Sequence, residues 1–216
     1  MKKIGLRERK SAKLKIGLAE TLVELLEQRP LEEISVRELC ETHEISEATF
    51  FNYFPRKQDV LTYFIQLWSI EVGWVARQVD TSTGGLEAIE AIFEYGADQI
   101  ARYPAFMGEM IAYQARLREW PQPMQIGLAE RLQAFPELEG VEEIPAEGLD
   151  SVLSEYLKVS IEHGQLPQDT DREATILALV SIFFGIPMLM RLYEPERIGE
   201  IYQKELQLLW RGLIAK

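Results

Sequence analysis

Residues 35–57 constrain this 216-residue chain more than any other stretch. They read Ser35-Val36-Arg37-Glu38-Leu39-Cys40-Glu41-Thr42-His43-Glu44-Ile45-Ser46-Glu47-Ala48-Thr49-Phe50-Phe51-Asn52-Tyr53-Phe54-Pro55-Arg56-Lys57. A hydroxyl side chain just ahead of an apolar-periodic run marks a helix start, because it accepts from the unpartnered N–H groups of the first turn. Ser35 opens one such helix, with Val36, Leu39 and Cys40 inward, and Ser46 opens a second, with Phe50 and Phe54 inward. Only His43-Glu44-Ile45 separates them, which leaves room for a close helix-turn-helix corner with Ile45 pinned inside. Turning Phe50 and Phe54 inward leaves the opposite face of the second helix free. In such a corner, that face can enter a DNA major groove.

The charge distribution fits this reading, although the total does not. The first fifteen residues carry seven cations (Lys2, Lys3, Arg7, Arg9, Lys10, Lys13, Lys15) against the single acid Glu8, a formal +6. Residues 1–60 balance eleven Lys/Arg against eleven Asp/Glu, so the net −12 of the chain resides entirely in residues 61–216. Beyond roughly 8 Å at physiological salt those distant acids are screened, and the local cations decide what the N-terminal part attracts. A basic terminus alone reads as a solvated tail. Leading directly into a helix-turn-helix pattern, it reads as a set of phosphate contacts.

Helical periodicity continues along the chain. Leu14, Leu18, Leu22, Leu25 and Leu26 predict a first helix over 9–28, ended by Arg29-Pro30. Further helices are expected over about 56–79, 85–102, from Pro104 to a break at Trp120-Pro121-Gln122-Pro123, 124–134, 146–163 with Gly164 as left-handed cap, 171–192 and 195–213. Residues 135–145 read as an acidic loop. No strand pattern or repeat is apparent, so the fold class is all-α. The longest apolar stretch, 174–192, contains Ser181, Pro187 and Arg191; its run 176–190 falls short of the roughly 20 residues of a membrane span and reads as a helix buried on nearly all sides, one of them against a partner subunit. The basic start leads into an amphipathic helix, so no signal peptide is expected. The lone Cys40 excludes an intrachain disulfide and suits a reducing cytoplasm.

The run Ile45-Ser46-Glu47-Ala48-Thr49-Phe50-Phe51-Asn52-Tyr53-Phe54-Pro55-Arg56-Lys57, with Ser35-Val36-Arg37-Glu38-Leu39 before it, resembles the helix-turn-helix signature of the TetR family of bacterial transcriptional regulators. The resemblance covers about residues 14–64. It implies an all-helical homodimer with a DNA-binding domain over 1–58 and an effector-binding and dimerisation domain over 59–216. It also implies that Arg37 approaches a base edge or phosphate. Glu47, Ala48, Phe51 and Asn52 would face the major groove, while Thr49, Tyr53 and Lys57 hold phosphates, and Ser46 would belong to the same DNA-binding set. The chemistry is sensible on its own terms: Asn pairs bidentately with adenine, Arg with guanine, and Glu accepts from a cytosine amine. The chain departs from the family pattern at three places. Pro30 replaces a glycine, and His43-Glu44 replaces alanine-glycine, which obliges Glu44 to tolerate a left-handed backbone. Phe51 stands where tyrosine is common, leaving apolar contact without a hydroxyl.

The remaining aromatic and methionine positions are mostly core by spacing. Trp68, Phe93, Phe106, Met107, Met110, Tyr113 and Met188 are the candidates to line an apolar pocket for a small hydrophobic or amphipathic effector, and Glu109 and Arg116 are candidate polar contacts there. The dimer would form through about 171–192 and 195–213. His43 and His163 have no companions at metal-ligand spacing. The chain offers no nucleophile elbow, phosphate-cradling glycine loop or His-rich set, so neither an enzyme nor a cofactor is expected. A helical adaptor that binds protein through its acidic face is the other alternative.

Overall fold

The structure, a computed structural model, describes residues 4–118, 124–190 and 192–215, and every regular element among them is helical. Lys2, Lys3, the expected break at Trp120–Pro123 and Arg191 lie outside the described residues. The helices are α1 (Leu6–Leu26), α2 (Val36–Thr42), α3 (Glu47–Tyr53), α4 (Lys57–Arg77) and α5 (Leu86–Arg102), followed by α6 (Pro104–Arg116), α7 (Leu128–Ala134), α8 (Leu149–Glu162), α9 (Arg172–Met190) and α10 (Ile198–Ile214). Single 3-10 turns occupy Leu31–Glu33, Val141–Glu143 and Pro195–Arg197. The first of these follows Pro30 and is too short to leave a periodic trace in the sequence. α1 starts three residues before its expected position because the Glu8 carboxylate reaches back to accept the Gly5 N–H at 2.7 Å.

Chain contacts divide the protein into two units, residues 1–70 with 108–146 and residues 71–107 with 147–216. The boundary expected at 58/59 falls in the first turn of α4, an unbroken helix. The first unit also takes in a segment from far along the chain, whose α7 packs on α1. Its core is built from the inward faces of α1 (Leu18, Leu22, Leu26), α2 (Leu39, Cys40), α3 (Phe50) and α4 (Val60, Leu61, Tyr63), together with Phe54. Burying each large apolar side chain stabilises by about 1.5–3 kcal/mol, so these positions fix the helix orientations.

The corner between α2 and α3 ends in a Schellman motif. The Ile45 N–H donates to the Cys40 carbonyl at 3.0 Å and the Glu44 N–H to that of Glu41 at 3.3 Å. The residue between cap and closure must be left-handed, and Glu44 has φ +52° as its neighbours require. α8 closes by the same pair of bonds, Gln165 to Ser160 at 2.9 Å and Gly164 to Ile161 at 3.1 Å, but there a glycine takes the left-handed position with φ +75°. His43 adds a tie from the corner to α1: its Nε2 lies 3.0 Å from the Thr21 hydroxyl, and its ring rests where a Cβ on Gly17 would come within 2.7 Å.

The second unit centres on an aromatic cluster of Phe93 (α5), Phe183 (α9) and Tyr202 (α10), with ring centroids 5.0–5.7 Å apart. A Cβ on Gly96 would meet the Phe183 ring at 2.6 Å, so this glycine permits the close approach of α5 and α9. Pro187 stands inside α9 and has no N–H to give the carbonyl four residues back, that of Phe183. The Tyr202 hydroxyl donates to that carbonyl instead. The α5 N-terminus is capped from the α8–α9 loop, where Gln165 Oε1 accepts the N–H groups of Gly85 (2.8 Å) and Leu86 (3.1 Å). The expectation that α9 is buried on nearly all sides needs correction. Only Thr175, Leu179, Phe183 and Pro187, one stripe at four-residue spacing, are buried within the chain.

Two substitutions test this account. Glu44→Gly should stabilise the protein by about 1 kcal/mol, by relieving the left-handed strain, and so raise the thermal midpoint by roughly 2–4 °C. Tyr202→Phe removes the hydroxyl bond to the Phe183 carbonyl and should cost about 0.5–1.5 kcal/mol in denaturant unfolding. In a Pro187→Ala background, where an N–H is restored, the same change should cost clearly less.

Candidate nucleic-acid interface

Two serine caps set the geometry of this surface. Ser35 Oγ accepts the Glu38 N–H and Ser46 Oγ accepts the Thr49 N–H, both at 3.1 Å. The caps hold α2 and α3 in phase, so that Phe50 and Phe54 are fully enclosed. Phe50 packs at 5.8 Å from Phe54, which in turn lies 5.5 Å from Tyr63 of α4. With that stripe inward, helical geometry turns Glu47, Ala48, Phe51 and Asn52 outward, and all four are exposed together with Ser46. Phe51, 44% exposed, leans edge-on against Phe50 at 5.4 Å. Thr49 is half-buried, with its hydroxyl 2.9 Å from that of Ser46.

Arg37 stands on the outer face of α2, its side chain 79% exposed, and donates through Nε to Glu41 at 2.8 Å. An exposed pair one helical turn apart is worth about 0.2–0.5 kcal/mol, too little to hold the guanidinium from a better partner. Tyr53 is half-buried and, with Leu6, Arg7, Lys10, Ser11 and Leu14 of α1, lines an open cleft of about 540 Å³. Arg7, Arg9, Lys10 and Lys13 are exposed. Beneath the surface, burial pushes the Cys40 thiol above its ordinary value, with Glu47 and Glu41 adding to the shift.

Two cations depart from expectation. Lys57 does not project as a phosphate contact: its Nζ donates to the carbonyls of Leu31 and Ile34 and clasps the 3-10 turn. Burial lowers its pKa, against the opposing influence of Glu32. Lys15 turns inward as well, pairing with Glu130 of α7. Periodicity could not reveal either partner, which lies 23 to 115 residues away.

The expected effector residues fall on α4, α5, α6 and α9. Phe93 is closed into the aromatic cluster of the second unit and Met188 is 53% exposed on α9. Glu109 accepts the Leu31 N–H at 3.3 Å and Arg116 pairs with Glu32, so both attend the 3-10 turn rather than a pocket. Trp68 lies on α4 and Phe106, Met107, Met110 and Tyr113 on α6, with the Tyr113 hydroxyl 3.1 Å from that of Thr62. Among the described residues no group of three or more His, Cys, Asp or Glu side chains is arranged to hold a metal ion.

A capped helix-turn-helix with a bare second helix, set in an all-α chain, defines the class, and solved structures agree. No protein-family model and no curated protein matches the sequence. The fold is similar to that of Thermus thermophilus FadR, a TetR-family transcriptional repressor solved in complex with lauroyl-CoA. That match has 22% identity, covers 94% of this chain and 96% of that one, and has a TM-score of 0.66. FadR of Bacillus halodurans, a fatty acid degradation regulator, matches at 16% identity, 98% coverage of both chains and TM-score 0.64. PfmR of Thermus thermophilus, another TetR-family regulator, matches at 19% identity, covering 91% of this chain and 98% of its own, with TM-score 0.56. The chain has the fold of TetR-family transcriptional regulators.

The clasp by Lys57 makes a direct forecast. Lys57→Met should lower stability by about 1–3 kcal/mol, since the Ile34 carbonyl loses the ammonium donor and the Leu31 carbonyl keeps only the Ile34 N–H. In a titration of affinity against salt, the same variant should leave the slope of DNA binding unchanged.

Proposed function

We propose that the protein is a TetR-family DNA-binding transcriptional regulator, a cytoplasmic repressor that holds a near-palindromic operator as a homodimer and leaves it when a small amphipathic ligand binds. The observation that carries this reading is the bare face of α3, opposite two fully enclosed phenylalanines, beside the exposed cations of α1. Arg37, Glu47, Ala48, Phe51 and Asn52 would read base edges, while Ser46, Thr49 and Tyr53, with Arg7 and Lys10, would hold the backbone. The two recognition helices of a dimer would lie about 34 Å apart, one turn of DNA.

Exposed apolar side chains on the last two helices support the dimer. Leu177 is 68%, Leu189 66% and Leu208 59% exposed, a surface that a soluble chain covers with a partner. By length and composition alone the 19-residue α9 could cross a membrane, against the expectation that its apolar run is too short. Its buried stripe, which includes the fully enclosed Leu179 and Phe183, and its packing against α5, α8 and α10 favour the subunit interface. The lauroyl-CoA bound by the Thermus FadR is amphipathic, in line with the effector class expected here, and Trp68, Phe106, Met107, Met110 and Tyr113 remain the candidates to meet its apolar part.

Selection of duplexes from a random-sequence pool, followed by affinity measurement across salt, tests the reading. The expected result is an enriched near-palindrome whose log affinity falls by roughly four or more per log salt, as about five phosphate contacts require. Failure to enrich any sequence would favour the adaptor alternative. Leu177→Glu with Leu189→Glu should yield monomers in sedimentation and abolish binding to the full palindrome.

A further inference from the structure

Glu130 enters the first unit from outside the helix-turn-helix and serves three partners at once. Its Oε2 accepts the Gly127 N–H at 2.6 Å, which anchors the start of α7. Its Oε1 accepts the Tyr63 hydroxyl at 3.1 Å and pairs with the Lys15 ammonium. The Lys15 and Glu130 side chains are only 12% and 13% exposed, so the pair is largely removed from water. Lys15 Nζ also stands 4.4 Å from the Tyr63 ring centroid and 6.0 Å from that of Phe54. From Tyr63 the contacts run through Phe54 and Phe50 to Phe51, an unbroken row of rings with steps of 5.4–5.8 Å that ends on the exposed face of α3.

We infer that Glu130 is a positioning residue for DNA recognition: through Lys15 and Tyr63 it fixes the aromatic row that sets the angle of α3, so α7 is a working part of the DNA-reading head. The inference rests on the DNA-binding reading above. The choice of residues supports it. An apolar pair of similar volume would hold α7 on α1 equally well or better, whereas a largely buried ion pair favours one geometry and penalises others by stranding a charge. The cation over the Tyr63 ring adds a directional contact of its own. Phe54 is also the C-cap of α3, its N–H bonding to the Phe50 carbonyl at 2.9 Å. A shift in Lys15 or Tyr63 is therefore felt where the recognition helix ends.

The test compares the full-length wild type with Glu130→Gln, Lys15→Met, the double variant, Lys15→Arg and Tyr63→Phe, at a temperature where each is folded. Affinity is measured for the duplex enriched by the wild type and for an unrelated duplex of equal length. Glu130→Gln and Lys15→Met should each lower the ratio of specific to non-specific affinity about tenfold, the scale of one misplaced base contact. The double variant should lose no more than either single one. Lys15→Arg should retain the ratio, and Tyr63→Phe should reduce it by a smaller factor. A purely structural role predicts lower thermal midpoints with an unchanged ratio in all of them, and that result overturns the inference. Should Glu130→Gln not fold, Tyr63→Phe decides: a ratio equal to wild type overturns the inference and a reduced one supports it. A wild type that enriches no duplex overturns the DNA-binding reading and this inference together.

Discussion

Burial of Phe50 and Phe54 is the constraint on which the candidate interface depends. Both rings are fully enclosed, and because a helix places residues three and four apart on one side, their enclosure dictates what the other side shows. Had one of them been polar, α3 would lack its stripe and Glu47, Ala48, Phe51 and Asn52 would have no fixed outward direction. The serine caps contribute to the same end: they place the start of each short helix, and a seven-residue helix has too few turns to correct an error of phase. The reading of DNA proposed here is the external counterpart of an internal aromatic contact.

Much of this architecture was legible in the sequence because its signals are local. Ser35 and Ser46 announced their helices, Gly164 its left-handed cap, and the spacing of Phe50 and Phe54 the free face of α3. Even the strain at Glu44 could be anticipated, since the turn between the caps had no glycine to absorb it. What escaped were side chains whose direction is set by distant partners. Lys57 looked like a phosphate ligand because its neighbours do, yet the carbonyls of Leu31 and Ile34 hold it. Lys15 belongs by sequence to the basic terminus, yet it turns to Glu130, 115 residues away. No period or spacing encodes such pairs.

α9 illustrates a different kind of misreading. Its composition is apolar all round, which suggested burial on nearly every side, yet within the chain only one stripe is covered. Hydropathy reports that a surface prefers not to meet water but not which molecule shields it. The partial cover is consistent with an interface that one chain cannot complete. Phe93 shows a related ambiguity: an aromatic ring at helical spacing suits a ligand pocket and a packed core equally, and here Phe183 and Tyr202 pack against it.

The bond from Tyr202 to the Phe183 carbonyl has a consequence for how the second unit comes apart. A proline inside a helix leaves a gap in the ladder, and in α9 the donor that closes it belongs to α10. Neither helix can therefore fray at this level without opening the other. Amide exchange in the two segments should follow a single rate, as one cooperative block rather than two independent rods. A gap in one helix's hydrogen bonding has become the rivet between neighbours.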